Sequence, residues 1–186
     1  MKALRLFPKM VIAVGIAFAL AGLVAAGAGV YIRGFVVQQL TAQQITTPED
    51  ATMPNTPVDN MASALSMANI IQHHAAESGK GLTYAQMGRF AVESGDPKGT
   101  NNADEALKDA AGKPVANAAR NTQLTAAGLV TSLSLSAMAI GASYGAIALG
   151  IGFTVLGIVI AGLGYALLGL ITPEVAQRFG VHPVAA

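Results

Sequence analysis

Two adjacent histidines, His73 and His74, are the residues in this chain best suited to hold a metal ion or move a proton. Imidazole titrates near neutral pH and is a common metal ligand. Their spacing works against a shared ion. Successive helical residues point about 100° apart, whereas metal-binding pairs on a helix sit at i and i+4. The pattern reads as one exposed histidine and one packed histidine, with a metal-dependent enzyme as the opposing hypothesis. The carboxylate pairs Glu49-Asp50 and Asp104-Glu105 fall where helices or loops begin, and solvated charge is favoured there. The sequence has no nucleophile elbow, phosphate loop or zinc-protease motif. Gly150-Ile151-Gly152 and Gly162-Leu163-Gly164 lie in apolar helix, the wrong context for a nucleotide. Without cysteine there is no disulfide, thiolate metal site or iron–sulfur cluster. The expectation is a chain with no catalytic residue, no metal ligand set and no cofactor.

The elements that position these residues are set by apolar length. Of 186 residues 53% are hydrophobic and 11% charged, with net charge +1, which offers no basic field for nucleic acid. Mean hydropathy is +0.52, in the range of a membrane protein with a modest polar region. Residues 124–171 contain no Asp, Glu, Lys, Arg or His. About 20 apolar residues cross the ~30 Å hydrocarbon core, so this stretch is long enough for two crossings. Gly141-Ala142-Ser143-Tyr144-Gly145 supplies the turn expected between them, and Thr172-Pro173 the stop.

The N-terminus carries Lys2, Arg5 and Lys9, then an apolar run of 23 residues from Met10 to Ile32, closed by Arg33. That length exceeds a signal-peptide core and favours an uncleaved anchor; cleavage after Ala28 is the alternative. The basic start places the N-terminus in the cytoplasm. The expected fold is an all-α membrane protein with three transmembrane helices. Residues 1–33 form the anchor, 34–120 an extracytoplasmic helical cap, 121–171 the transmembrane hairpin and 172–186 an extracytoplasmic tail. Tyr31, Tyr144 and Tyr165 are the available interfacial aromatics, since Trp is absent.

Within the cap, 34–47 continues the first helix and Pro48, Pro54 and Pro57 punctuate a loop. A helix over 58–78 follows, with Met61, Leu65, Ala68 and Ile71 as its apolar stripe and Gly79 and Gly81 at its end. Thr83 to Gln86 fits a capping box that opens a helix to about Ser94. Another helical piece runs from Asp104 to Ala111, and Pro114 suits the first turn of the membrane helix.

Small residues recur on the membrane helices. Thr125, Gly128, Ser132, Ser136, Ala139 and Ser143 share one face, and Ala146, Gly150, Gly157 and Ala161 step along the last helix. The first helix has Gly15 with Ala19, Gly22 with Ala26, and Ala25 with Gly29. Such faces let backbones approach closely and trade hydrogen bonds. A hydroxylated strip can also line a water path. These spans hold no ionisable residue of the kind ion pathways use. Helix packing is thus the expectation, and surplus small faces imply partners beyond the lipid bilayer: other membrane subunits or further copies. The reading is a non-catalytic accessory or scaffold subunit of a bacterial membrane complex, respiratory or cell-envelope. A homo-oligomeric channel or solute conduit is the alternative.

The order of short motifs is Gln43-Gln44-Ile45-Thr46, Asp50-Ala51, then Ala64, Ala68, Ile71 and His74, then Gly81-Leu82-Thr83-Tyr84-Ala85, then Asn117, Ala118 and Arg120 before the apolar stretch. It resembles a family of small actinobacterial membrane proteins of unknown role, often labelled aromatic ring-opening dioxygenases. A non-haem iron dioxygenase needs two histidines and a carboxylate on one face. The resemblance therefore implies a topology and no active site, and the label does not suit this sequence. His74 and Tyr84 are the positions at which a cap site is expected.

Overall fold

The computed structural model describes residues 2–171, with side chains from Leu6 to Leu170. Their regular elements are all helical, with no strands: α1 is Lys2–Ala42, α2 is Met61–Ser78 and α3 is Ala118–Ile171, with one 3₁₀ turn at Tyr84–Gln86. Two helices, α1 and α3, are long and apolar enough to cross a membrane. Only 11% of the most apolar window of each is buried by the rest of the chain, so neither is the covered core helix of a soluble protein. This points to membrane association. The expected tail and its stop at Thr172-Pro173 lie outside the described residues.

The turn expected at 141–145 does not form, because α3 runs unbroken for 54 residues. Interrupting a helix frees up to four C=O groups before the break and four N–H groups after it. Unsatisfied in an apolar setting, each costs about 2 kcal/mol or more. Keeping Gly141 and Gly145 helical costs only about 1 kcal/mol each. Continuity wins, and no Pro is present to break the helix, nor Asn or Asp to supply a turn's own hydrogen bonds.

The chain divides into two units, Met1–Phe35 with Gly141–Ala186, and Val36–Ile140. The first is an antiparallel helix pair. A Cβ built on Gly22 would lie 2.5 Å from Gly150 O and Thr154 N, and one on Gly150 would lie 2.5 Å from Ala26 N and 2.6 Å from Gly22 O. Gly15 and Gly157 stand in the same reciprocal relation, and Gly29 meets Ser143 and Ile147. The contact glycines therefore recur every seven residues on both helices: 15, 22 and 29 against 150, 157 and 164. Seven-residue periodicity is the signature of a left-handed supercoil. Only glycine permits this backbone approach, and Thr154 Oγ1 uses it to reach Ala19 O at 3.4 Å while also donating to Gly150 O at 2.8 Å. Phe18 and Phe153 meet edge to face at 5.7 Å. Arg33 Nε donates to Tyr144 OH at 3.0 Å, at one end of the pair.

The second unit packs α2 and the loops after α1 onto the first half of α3. Its core joins Leu40, Val58, Ala64, Ala68, Leu133 and Ile140. α2 starts at Met61 because Asn60 caps it: Asn60 Oδ1 accepts from Ala62 N at 2.9 Å and Ser63 N at 3.0 Å. Its buried stripe differs from the expected one. Ala64, Ala68 and Ala75 are buried and Ile71 half-buried, while Met61 and Leu65 are exposed. The inward serines explain the rotation: Ser66 Oγ accepts from Met53 N at 2.9 Å, and Ser63 Oγ from Asp59 N at 3.2 Å, satisfying loop amides that would otherwise be unpaired. The helix ends in a Schellman pairing, Gly81 N to Ala76 O at 2.8 Å and Lys80 N to Glu77 O at 3.0 Å. Lys80 occupies the left-handed position, at φ 49°.

The helices expected at 83–94 and 104–111 are replaced by irregular chain. The box at Thr83 forms, since Gln86 Oε1 accepts from Thr83 N at 2.9 Å, but only one 3₁₀ turn follows. Gly88 then abuts the backbone of Thr100, with no room for a Cβ, and Phe90 exchanges two 2.9 Å hydrogen bonds with Thr100. Residues 91, 107 and 115 close a backbone triangle: Ala91 N to Val115 O, Val115 N to Leu107 O and Leu107 N to Ala91 O, at 2.8–2.9 Å. Pro114 sits in a bridge with Lys108 and not in a helix.

Candidate functional site

The histidines lie on the exposed side of α2, and each grips its own carboxylate. His74 Nε2 lies 2.6 Å from Asp50 Oδ2, and His73 Nε2 lies 3.3 Å from Glu77 Oε1 one turn on. The hydrogen bond from His74 holds the Asp50 carboxyl below its ordinary range. The two imidazole centroids are 6.1 Å apart. Among the described residues no three His, Asp or Glu side chains are grouped so as to hold a metal ion.

Tyr84 does not join His74. Its ring lies under the Arg120 guanidinium, 3.9 Å from the centroid, and its hydroxyl accepts from Arg120 Nη2 at 2.6 Å. Arg120 Nε is buried without a hydrogen-bond partner. Tyr84 thus anchors the first turn of α3.

The small-residue positions divide between the units. In the helix pair, Ser143, Gly150 and Gly157 are buried in the contact, with Ala146 and Ala161 half-buried. In the second unit the strip Thr125, Gly128 and Ser132 is exposed, while Ser136 and Ala139 are half-buried. What packs there is the neighbouring face, Ala126, Leu133, Ala137 and Ile140. The strip instead lines two adjoining grooves. One, of about 410 Å³, has Ser132 and Ser136 on its wall with Gln39, Gln43, Leu40 and Met67. The other, of about 610 Å³, has Thr125 with His74, Ser78, Asn121 and Thr122. Ser132 and Ser136 donate their hydroxyl protons to Gly128 O and Ser132 O, both at 2.9 Å. These bonds satisfy the hydroxyls within their own helix.

Sequence reasoning placed Asn117 only in an order of short motifs and missed its role as the hub of the second unit. It is buried, at 4% exposure, and caps α3 through Ala119 N to Oδ1 at 3.1 Å. Its Nδ2 donates to Gly88 O at 3.1 Å and Pro97 O at 2.9 Å, tying three segments together. An Asn directly before an Ala-rich helical run is an N-cap signal. Pro114 drew the expected start upstream.

A scan against family models matches none, and searches of curated proteins and of solved structures return no match.

Proposed function

We propose that this chain is a non-catalytic scaffold subunit of a bacterial membrane complex, respiratory or cell-envelope, that docks partner helices on its outer faces. One observation carries the reading. The inner contact consumes Gly15, Gly22, Gly29, Gly150, Gly157 and Gly164, yet Gly27, Gly145, Gly152 and Gly162 have open space where a Cβ would sit. Small residues on an exposed apolar helix are what a second helix packs against. The separate pairing of His73 and His74 supports a role without chemistry at that site.

The topology we propose has two crossings in place of three. Met10–Ile32 spans about 35 Å, which fits the bilayer, and α3, at about 81 Å, crosses once and extends beyond it. The basic start is cytoplasmic and unit 36–140 is extracytoplasmic. The chain after Ile171 then emerges in the cytoplasm, opposite to the side expected from a hairpin. Because the chain has no cysteine, Asn102→Cys and Ala186→Cys are unique labels. An impermeant maleimide should modify position 102 in intact cells and position 186 only after permeabilisation. Labelling of both in intact cells would restore the three-crossing arrangement.

The subunit reading is tested by purification from native membranes in mild detergent. Other subunits should accompany the protein at fixed ratio and be lost in Gly145→Leu, at which a Cβ meets nothing within 4 Å in the chain's own fold. A lone closed oligomer would refute it. The exposed Thr125–Ser132 strip favours a homo-oligomeric conduit as the second reading, and solute flux in liposomes holding only this protein would support it.

A further inference from the structure

We infer that the groove of about 410 Å³ in the second unit binds a single-chain neutral lipid, one apolar chain carrying an uncharged, oxygen-bearing head. Its volume falls within the range of small-molecule sites. Leu40 and Leu133 form a floor, at 7% and 6% exposure, and Ile45, Met67, Ile71 and Leu129 complete an apolar wall. The wall is built: Val58 N donates to Ile45 O at 2.9 Å, and Met67 and Ile71 pack against the core of the unit. An extended hydrocarbon chain laid along this surface removes its apolar area from water.

The polar groups define the head. No Lys, Arg, His, Asp or Glu lines this groove, so a phosphate or carboxylate there has no partner, and burying it unpaired is costly. Gln39 and Gln43 also line it, and their side-chain amides make no hydrogen bond within the described residues. Ser132 and Ser136 have spent their protons on helix carbonyls, which leaves their oxygens as acceptors. Two free amides and two acceptor oxygens suit hydroxyl or ester groups, as in a monoacylglycerol.

The test uses the full chain in neutral phosphatidylcholine vesicles with a photoactivatable monoacylglycerol, and adducts are mapped by peptide mass. Adducts should concentrate in 39–45, 67–71 and 129–136, and excess monooleoylglycerol should compete while lysophosphatidic acid does not. Ile71→Trp and Met67→Trp fill the groove and should cut labelling about tenfold, equivalent to about 1.4 kcal/mol of binding. Leu163→Trp, on an exposed face of the helix pair, should label as wild type. If a filled variant misfolds, Gln39→Ala with Gln43→Ala removes only exposed amides and should still weaken competition. Equal competition by the anionic lipid overturns the neutral head. Adducts spread evenly along α1 and α3, or unchanged in both Trp variants, overturn the site.

Discussion

The same substitution, Gly→Ala, should have opposite signs at positions five residues apart on α3. At Gly157 a Cβ would lie 2.5 Å from Gly15 O and closer still to Ala19 N. Ordinary contact begins near 3.4 Å, so the two backbones must separate locally by about 1 Å, and a gap of that size forfeits a quarter to a half of each dispersion contact beside it. Overpacking of this kind costs about 1–3 kcal/mol. At Gly152 a Cβ meets nothing within 4 Å. There Ala gains only helix propensity, about 0.5–1 kcal/mol in its favour. The difference between the variants is therefore about 3 kcal/mol, or about a hundredfold in the separation equilibrium. Dyes on Leu20→Cys and Leu156→Cys, both exposed, report that separation by energy transfer during titration with a denaturing detergent. Gly22→Ala should follow Gly157→Ala, and Gly162→Ala should follow Gly152→Ala. Equal midpoints for Gly157→Ala and Gly152→Ala would refute the glycine contact and the antiparallel register with it.

Asn117→Ala removes an N-cap worth about 1 kcal/mol and strands two carbonyls at about 1 kcal/mol each. Limited proteolysis in 88–101 should accelerate about a hundredfold, and Asn117→Asp, which keeps the cap oxygen, should fall between. Lys80→Gly relieves the left-handed position at the end of α2 and should stabilise the second unit by about 0.5–1 kcal/mol, read as slower hydrogen exchange at Gly79 N–H. Asp50, its pKa lowered chiefly by the His74 hydrogen bond, contributes stability above its ordinary pKa and loses it as pH falls through the lowered one. The loop at 48–51 should thus loosen only in acid, and in His74→Ala the carboxyl midpoint, followed by NMR, should rise; an unmoved midpoint would break the assigned pairing.

The long helices were legible because apolar length is a one-dimensional property. Met10–Ile32 and 124–171 declare themselves without knowledge of any partner. The cap was less legible, for a physical reason visible at 88–117. That segment is held by backbone pairs far apart in sequence, such as Gly88 with Lys98 and Asn117 with Arg89, and by a glycine whose role is to leave room for Thr100. Local propensity at 104–111 is helical enough, but Leu107 N is committed to the distant Ala91 O, and Asp109 Oδ1 turns the chain by accepting from Ala111 N and Lys113 N.

The small-residue faces show what a composition argument finds and what it leaves to the partner helix. Steps of four on α1 and α3, such as Gly15–Ala19 and Gly157–Ala161, lie in the contact itself: a Cβ on Gly15 would meet Ala161 N, and one on Gly157 would meet Ala19 N. What the helix pair repeats, however, is glycine at seven, and only the partner helix selects that subset. In the second unit the hydroxylated strip and the packed strip are adjacent faces of one helix. α2 is Ala- and Ser-rich, so it seats against Leu133 and Ile140, which need burial, and leaves Thr125 and Ser132 outward, where their oxygens are satisfied by solvent, by their own helix or by a ligand. The large apolar side chains of α3 decide which face turns inward, and the grooves follow as the faces left over.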